Sequence, residues 1–267
     1  ITKHIQELEA AYQTRLFDRQ GSRISLTDSG KLLLEHCERI LEDYKRLEYE
    51  MHLLHNEYTG GLKLGASTTI AQYVLPPLLA SFIGKFPQVN LSLLNGNSRE
   101  IEAALQEHRI DLGFVEGVFR LPNIKYTTFL EDELVAVVRT GSRLAVGEEI
   151  TPEELLHLPL VLRERGSGTL DVFERALQQH NIKLSSLQVL MYLGSTESIK
   201  LFLEHTDCLG IVYIRSITRE LYSGQLRVVE IKGMPMLRDF SFAQPQGQES
   251  GLAQVFMQFA MHNNNKL

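Results

Sequence analysis

The stretch RLFDRQGSRISLTDSGK, residues 15–31, decides how the rest of the chain is interpreted. Residues 23–27 alternate polar and apolar side chains as a short strand does, and Gly21 and Ser22 before them are typical of a turn. The segment therefore predicts a two-stranded wing between two helices. Four basic residues crowd into it, although the whole chain has a formal net charge of −6. The wing is either an ordinary solvated loop or a surface that faces something negative.

The residues before the wing repeat apolar side chains at helical spacing from Ile1 to Tyr12. This pattern leaves Lys3 and Gln6 on the outward face of a predicted helix. The chain starts inside the pattern and without Met, so we expect further residues upstream of Ile1.

The residues after the wing form one long helical pattern over 28–58, with Thr27 or Asp28 as its N-cap. Its apolar residues recur in alternating steps of four and three, which makes a sustained heptad seam. The seam consists of Leu33, Cys37, Ile40, Tyr44, Leu47, Met51, Leu54 and Tyr58. A narrow apolar stripe with polar flanks predicts a two-helix homodimer, and packing of the helix on its own domain is the alternative. The run TGG at 59–61 ends the helix.

Beyond this point strand-like runs alternate with helical runs, as in an α/β fold with a mostly parallel sheet covered by helices. About ten candidate strands exceed the usual size of one sheet, so two lobes with a cleft between them are predicted. Lobe I comprises about 62–132 and 239–267, and lobe II about 133–238. The chain is expected to cross between the lobes at 124–141 and to return at 238–247.

Four turns at predicted strand ends combine hydroxyls with glycine and open helices, which is where α/β lobes bind ligands. Helix N-terminal N–H groups with Ser and Thr hydroxyls bind small anions, and a guanidinium strengthens such a site. The alternative is that each Ser or Thr only caps its own helix. The candidate effector-binding residues are Ser67, Thr68, Thr69, Asn97, Ser98, Arg163, Ser167, Thr169, Ser195 and Thr196. Glu116 and Gly117 are a candidate hinge or cleft wall, or simply a strand-ending turn.

The sequence predicts no catalytic residue, no metal ligand and no cofactor. It contains no G-x-S-x-G elbow, no phosphate-binding Walker loop and no G-x-G-x-x-G, and its nine His residues show no ligand spacing. Cys37 and Cys208 lie far apart in apolar patterns and are expected to be buried, reduced thiols, which fits a cytoplasmic location. No apolar run approaches the roughly 18 residues of a membrane span, and no signal peptide is predicted.

The order of wing, dimerising helix, hinge and two-lobed domain resembles LysR-type transcriptional regulators along essentially the whole chain. TKHIQELE (2–9) is similar to the end of that family's recognition helix, and LFDRQGSRISLTDSG (16–30) matches its wing. DLGFV (111–115) and GIVYI (210–214) match recurrent strands of its effector domain. At positions 12–13 the family usually has Leu-Gly, whereas this chain has Tyr-Gln.

The resemblance implies three segments. Residues 1–27 would be part of a winged helix-turn-helix DNA-binding domain, 28–58 a linker and dimerisation helix, and 59–267 a periplasmic-binding-protein-like effector domain. The implied function is a bacterial regulator whose binding to double-stranded promoter DNA is modulated by a small anionic effector. The implied assembly is a homodimer, and a homotetramer joined through the effector domains, without a membrane partner. The implied DNA-binding residues are Lys3, Gln6, Arg19, Ser22 and Arg23.

Two other classes of protein would share parts of this pattern. A solute-binding protein that delivers its ligand to a transporter would have the same two-lobed cleft, but the wing and the heptad helix disfavour it. A small-molecule enzyme with an N-terminal dimerisation helix is the second alternative, and it would require a nucleophile–base pair in the cleft. Sulfate, an acylated serine, a small carboxylate and an aromatic acid all remain candidate effectors.

Overall fold

The computed structural model describes residues 2–20, 23–55, 58–118, 120–144, 147–246 and 251–263. The chain divides into an amino-terminal unit, Ile1–Glu57, and a carboxy-terminal unit, Tyr58–Leu267. In the part of the chain that the structure describes, every helix is too short or too polar to cross a lipid bilayer.

The amino-terminal unit contains the predicted helix, wing and long helix. Its elements are α1 (Thr2–Tyr12), β1 (Phe17–Gln20), β2 (Arg23–Leu26) and α2 (Asp28–His55). The strands pair antiparallel, with Phe17 opposite Leu26 and Gln20 opposite Arg23, so the wing is confirmed. The turn at 21–22 lies outside the described residues.

Helix α1 ends in a left-handed residue. Gln13 has φ of 50°, and two backbone hydrogen bonds close the end, from Gln13 to Ala10 and from Thr14 to Glu9. This pair of hydrogen bonds defines the Schellman motif, in which the residue with left-handed backbone angles is usually glycine. Gln13 stands where LysR-type regulators usually have glycine. Its left-handed backbone conformation is one that glycine adopts more easily than glutamine does.

Helix α2 begins with a cap that also fixes the wing. Thr27 accepts a hydrogen bond of 3.0 Å from the Gly30 N–H, which confirms Thr27 as the N-cap, and donates one of 2.6 Å to the Arg15 carbonyl. A Cβ added to Gly30 would lie 2.1 Å from the Leu16 carbonyl oxygen. Only glycine lets the first turn of α2 pack this closely on the chain before the wing.

The seam of α2 differs from its prediction at two residues, Tyr58 and Cys37. Helix α2 is described to His55, and residues 56–57 lie outside the described residues. Tyr58 belongs to the carboxy-terminal unit and packs edge-on against Phe86 of the same unit, with ring centroids 5.5 Å apart. Cys37 is a free thiol but only half-buried, whereas Cys208 is free and buried as expected. The middle of the seam is exposed, between 51% and 66%, at Ile40, Tyr44, Leu47 and Met51. The side chain of Leu54 lies outside the described residues.

The carboxy-terminal unit is a mixed sheet covered by helices. Its strands are β3 (Gly60–Ser67), β4 (Val89–Gly96), β5 (Leu112–Glu116), β6 (Ile124–Arg139), β7 (Glu149–Ile150), β8 (Pro159–Arg163), β9 (Gln188–Leu193), β10 (Leu209–Tyr213), β11 (Leu226–Ile231) and β12 (Leu237–Pro245). Its helices are α3 (Thr68–Tyr73), α4 (Leu75–Lys85), α5 (Ser98–Gln106), α6 (Gly168–Gln179), α7 (Thr196–His205), α8 (Thr218–Tyr222) and α9 (Gly251–His262), with short 3-10 turns at Glu154–His157, Leu184–Ser186 and Ile214–Ile217.

Two long strands connect the lobes. The hydrogen-bonded order is β4-β3-β5-β12-β6-β10-β8-β9, with β11 beside β6 and β7 beside β11. Pairing is parallel within β4-β3-β5 and within β10-β8-β9, as predicted, but β12 and β6 run antiparallel to their neighbours. The amino-terminal half of β6 pairs with β12, and its carboxy-terminal half pairs with β10 and β11. A two-lobed α/β domain is thus confirmed, with β6 and β12 as its crossovers.

Aromatic rings fill the core of lobe I. Phe82 of α4 lies 4.7 Å from Phe256 of α9, which in turn lies 5.8 Å from Phe114 of β5. The last helix therefore packs on the first lobe, as predicted. The apolar pattern after Ser67 is compatible with a single helix to about Ile83, but Val74 separates α3 from α4. Two prolines open α4, where a missing N–H costs nothing, and they cannot continue α3.

Candidate functional site

All four of the predicted turns begin helices, and one side-chain oxygen in each turn caps its own helix. In α6, for example, the Leu170 N–H donates to the Ser167 hydroxyl at 3.2 Å. At α5 the cap is reciprocal, because Asn97 and Glu100 each accept a hydrogen bond from the other's backbone. The capping residues are Ser67, Asn97, Ser167 and Ser195. The oxygens of these four candidates thus bind their own helices, as the alternative interpretation expected.

Three further candidates surround the carboxylate of Glu116. Thr69 donates a hydrogen bond of 3.1 Å to Glu116 Oε1, and Thr169 donates one of 3.4 Å to the same atom. The Ser98 hydroxyl donates to the Glu116 carbonyl at 2.9 Å and accepts from its N–H at 3.3 Å. Because Thr69 and Ser98 lie in lobe I and Thr169 lies in lobe II, these hydrogen bonds join the lobes at the end of β5.

The positive charge beside Glu116 belongs to Arg238 of β12, which the sequence analysis missed. Its Nη1 lies 3.2 Å from Glu116 Oε1 and donates to Thr169 Oγ1 at 3.0 Å, while its Nε donates to Asp132 of β6. All three charged side chains are at most 1% exposed. Glu116, Asp132 and Arg238 therefore form a buried ion cluster at the crossovers, and we call it the hinge cluster.

The hinge cluster holds two carboxylates and one guanidinium. Burial raises the pKa of Asp132 to about 6; the charge of Arg238 opposes this rise, and the charge of Glu116 adds to it. Among the described residues, Glu116 Oε2 and Arg238 Nη2 are buried without a hydrogen-bond partner. The cluster thus retains one free acceptor and one free donor inside the protein.

Arg163 and Thr68 join neighbouring turns within their lobes. Arg163 is 2% exposed and donates to Glu164 at 2.8 Å and to the Gly194 carbonyl at 3.2 Å. In lobe I, Thr68 donates to the Gly96 carbonyl at 3.1 Å. Thr196 is buried at the start of α7. Arg163 and Thr68 thus donate to backbone carbonyls of the turns at which the other candidates lie.

A second polar contact joins the lobes away from the hinge cluster. The Tyr73 hydroxyl of α3 donates to Glu197 of α7. Glu197 also accepts from Lys200 at 2.8 Å, and Lys200 contacts Glu220 at 2.8 Å. Burial raises the pKa of Tyr73, and the hydrogen bond to Glu197 raises it further, so Tyr73 keeps its proton and stays a donor.

Glycine permits the closest approach of the lobes. Gly117 has φ of 114°, and a Cβ added there would lie 3.1 Å from Gly168 Cα. A Cβ added to Gly168 would lie 2.3 Å from the Glu116 carbonyl oxygen. Nearby, the Arg99 N–H donates to the Gly166 carbonyl at 3.4 Å, across the same contact. The lobes are therefore in direct backbone contact beside the hinge cluster.

Two cavities adjoin the hinge cluster. One has a volume of about 350 Å³ and is lined by Gly117, Asp132 and Arg238 among others. The second has about 340 Å³ and is lined by Ser98, Glu116 and neighbouring residues. Both volumes are sufficient for a small organic anion. Within the described residues, no three His, Cys, Asp or Glu side chains are placed to hold a metal ion.

The candidate DNA-binding residues fall on α1 and the wing. Lys3 and Gln6 are exposed on α1, and Lys3 lies 4.0 Å from Glu7. Arg19 and Arg23 lie on the paired strands, but their side chains are outside the described residues, as is Ser22 altogether.

A wing and long helix followed by a two-lobed α/β domain, with polar turns meeting between the lobes, define the class of ligand-responsive transcriptional regulators. The sequence profile of the LysR substrate binding domain matches residues 55–264. The chain belongs to the LysR family of transcriptional regulators, so the family predicted from the wing and the effector-domain strands is confirmed.

Relatives and solved structures agree with this assignment. The chain is 33% identical to the HTH-type transcriptional regulator YeiE of Escherichia coli K12 over 231 residues, which cover 86% of this chain and 76% of YeiE. It is 26% identical to the HTH-type transcriptional regulator CysL of Bacillus subtilis, covering 91% of this chain and 80% of CysL. The regulatory domain of CcmR from Synechocystis PCC6803, in complex with 2-PG, superposes with a TM-score of 0.70 at 27% identity, covering 78% of this chain and 99% of that domain.

Proposed function

We propose that this regulator binds promoter DNA as a homodimer and that a small anion, bound between its lobes, modulates that binding. Residues 1–27 contact DNA, 28–58 dimerise and 59–267 bind the effector. The protein works in the cytoplasm and catalyses no reaction. The observation that carries the proposal is the convergence of hydroxyls from both lobes and a guanidinium on one carboxylate oxygen. Such a set of donors suits an anion.

The anionic effector is supported by the donors and by a relative. Thr69 and Thr169 approach from different lobes, so a ligand that binds both favours one arrangement of the lobes over the other. The related CcmR domain binds 2-PG, 2-phosphoglycolate, which carries two anionic groups. The remaining candidates, Thr68, Arg163 and Thr196, lie in the same turns and complete the proposed lining.

Thermal unfolding of the full chain tests the effector. We expect 2-phosphoglycolate, sulfate or a small carboxylate to raise the melting temperature. At a thousand times its Kd, the ligand should increase the free energy of unfolding by about 4 kcal/mol. Thr169→Val should abolish the rise. Thr218→Ala removes an exposed lobe II hydroxyl that binds only its own turn and is the matched control. An effector response that survives Thr169→Val contradicts this site.

The proposed DNA contacts are Lys3, Gln6, Arg19, Ser22 and Arg23. Wing arginines beside the phosphate backbone position a protein without reading bases. Each lost phosphate contact should reduce the slope of log K against log salt by about one. A gel shift with Arg23→Ala on a promoter fragment at several salt concentrations measures this slope. An unchanged slope rules out Arg23 as a phosphate contact, and no salt-sensitive DNA binding by the unmodified protein contradicts the proposal itself.

The proposed dimer contact is the seam of α2. Its exposed apolar residues at Ile40 and Leu47 recur at heptad spacing, and a second copy of the helix would bury them. We expect Leu47→Glu to halve the mass measured by analytical ultracentrifugation or to reduce a tetramer to dimers. His36→Glu places the same charge on exposed α2 outside the seam and should change nothing. Equal masses for both variants would exclude the seam as an interface.

The proposed tetramer uses the two edges of the large sheet. β4 exposes Leu93 and Leu94, and β9 exposes Leu190, Met191 and Tyr192. Edge strands with exposed apolar residues pair with other chains. We therefore propose contacts between the effector domains of different subunits at these edges.

A further inference from the structure

The anion-binding donors of the cleft already hold an anion that belongs to the protein. Glu116 Oε1 accepts hydrogen bonds from Thr69 at 3.1 Å and from Thr169 at 3.4 Å, and it forms an ion pair with Arg238 Nη1 at 3.2 Å. Two hydroxyls and one guanidinium on a single oxygen are the contacts that a carboxylate, sulfate or phosphate group would receive from a binding protein. We call these three donors the anion seat.

The backbone holds Glu116 in the seat. The Ser98 hydroxyl contacts both its carbonyl and its N–H, and Gly168 packs against its carbonyl. The seat combines donors of α3, α6 and β12, so it exists only while the lobes are together. Glu116 consequently closes the lobes as a bound ligand would.

The hinge cluster already has more carboxylates than guanidinium groups, although Arg238 Nη2 has no hydrogen-bond partner. Arg238 already faces two carboxylates, Glu116 and Asp132, and all three side chains are at most 1% exposed. A further negative charge in this buried space would lack a counter-charge, which is strongly unfavourable. An external anion can therefore use the seat only by replacing the carboxylate of Glu116.

We infer that Glu116 is a tethered substitute for the effector, and that an effector carrying a carboxylate, sulfate or phosphate group displaces it from the seat. This inference rests on the proposed function, because it takes the effector to be an anion bound between the lobes. The cavity of about 340 Å³ lined by Ser98 and Glu116 adjoins the seat and provides the space for the exchange. After displacement, the anion in the seat is a free effector and no longer the carboxylate of Glu116, which is covalently attached to lobe I.

Chemical rescue tests the inference on the full chain. Glu116→Ala removes the tethered carboxylate, and we expect its melting temperature to fall. Acetate or formate, added at constant ionic strength with chloride as the reference, should restore much of the loss along a saturating curve. The unmodified protein should need a much higher acetate concentration for the same rise, because the carboxylate of Glu116 competes with acetate for the seat. Thr69→Val in the Glu116→Ala background should remove the rescue, because the seat then lacks a donor.

A matched carboxylate provides the control. Glu102 is also a buried acid and lines the same cavity of about 340 Å³, but it accepts its hydrogen bond from Tyr126 and from neither threonine of the seat. In Glu102→Ala the seat is still occupied by Glu116, so this variant should lose stability without rescue by acetate. Rescue of both variants to the same extent would show a general effect of acetate on buried voids and would overturn the inference.

Glu116→Gln covers the case in which the alanine variant does not fold. It keeps the shape of the side chain and removes the charge, so Arg238 holds it more weakly. Sulfate should then stabilise this variant at about a tenfold lower concentration than the unmodified protein, since charge-assisted hydrogen bonds are roughly twice as strong as neutral ones. If sulfate stabilises Glu116→Gln and the unmodified protein at the same concentration, the inference is wrong. If an effector still stabilises the unmodified protein in that case, the proposed function stands and only the tethered substitute is excluded.

Discussion

The Tyr73 hydroxyl donates a hydrogen bond to the carboxylate of Glu197, and this bond links α3 of lobe I to α7 of lobe II. Burial acts to raise the pKa of Glu197, but hydrogen bonds from Lys200 and Tyr73 lower it overall, so Glu197 is ionised. The contact is therefore charge-assisted. It joins two helices, whereas Glu116, Asp132 and Arg238 of the hinge cluster lie on strands β5, β6 and β12. The lobes are held at two separate places.

Removal of the Tyr73 hydroxyl should weaken the closed arrangement. We expect Tyr73→Phe to lose roughly 1–2 kcal/mol in urea unfolding, because a hydrogen bond to a charged group contributes about that much when partly buried. Tyr222 is 91% exposed, and Tyr222→Phe is the matched control. If the two variants unfold at the same urea concentration, the Tyr73–Glu197 contact makes no net contribution to stability.

The contact between Gly168 and the Glu116 backbone should tolerate no side chain. In Gly168→Ala the new Cβ would meet the Glu116 carbonyl oxygen at 2.3 Å and its carbon at 2.5 Å. Both are backbone atoms, so the lobes must move apart, and we expect a loss of about 1–3 kcal/mol or more. The measurement is the thermal midpoint of the full chain.

Gly194→Ala is the control for this effect. A Cβ there meets nothing within 4 Å, and Gly194 has no left-handed φ. Its melting temperature should stay the same or rise slightly, because alanine restricts the unfolded chain. A similar loss in both variants would contradict the close approach at Gly168.

The sequence pattern was sufficient to predict those elements that depend only on residues close to one another in the chain. Heptad spacing predicted α2, alternation predicted β2, and each hydroxyl-bearing turn predicted a helix start. These elements depend on residues a few positions apart, and side-chain periodicity reports them directly. The break between α3 and α4 at Val74 was missed because the apolar pattern continues through it, although the two prolines that follow were visible.

The hinge cluster was missed because its members are distant in sequence. Asp132 and Arg238 meet only because β6 and β12 pair in a register that places them opposite each other. Register across a connection of about a hundred residues is a tertiary property, which no local pattern contains. The sequence did contain one signal. Arg238 lies two residues before Phe240, so its side chain points to the same, buried face of the predicted strand. A charge at a core position of a strand indicates a buried partner.

The raised pKa of Asp132 predicts how stability changes with pH. Burial raises this pKa from 3.8 to about 6, so the folded protein binds a proton more tightly than the unfolded chain does. The contribution of Asp132 to stability is then greatest below about pH 4 and decreases as pH rises through about 6. Above that pH the loss reaches up to about 3 kcal/mol, at roughly 1.36 kcal/mol for each pKa unit.

Asp132→Asn should remove this dependence. Urea unfolding at about pH 4.5 and about pH 7.5 should show that the unmodified protein loses more stability than the variant over this interval. Asp239→Asn is the matched control, because Asp239 is the exposed neighbour of Arg238 on β12. If Asp132→Asn keeps the full pH slope, another group is responsible for it.

The left-handed residue at the end of α1 predicts a stabilising substitution. Gln13 has φ of 50°, where a side chain is strained and glycine is not. We expect Gln13→Gly to stabilise α1 by about 1 kcal/mol, since glycine is the usual residue at this position of a Schellman motif. Native-state hydrogen exchange of the α1 amides is the appropriate measurement, because it reports this unit separately from the effector domain. Gln13→Ala keeps the strain and should give no gain. Faster exchange in Gln13→Gly would mean that contacts of the glutamine side chain outweigh the backbone strain.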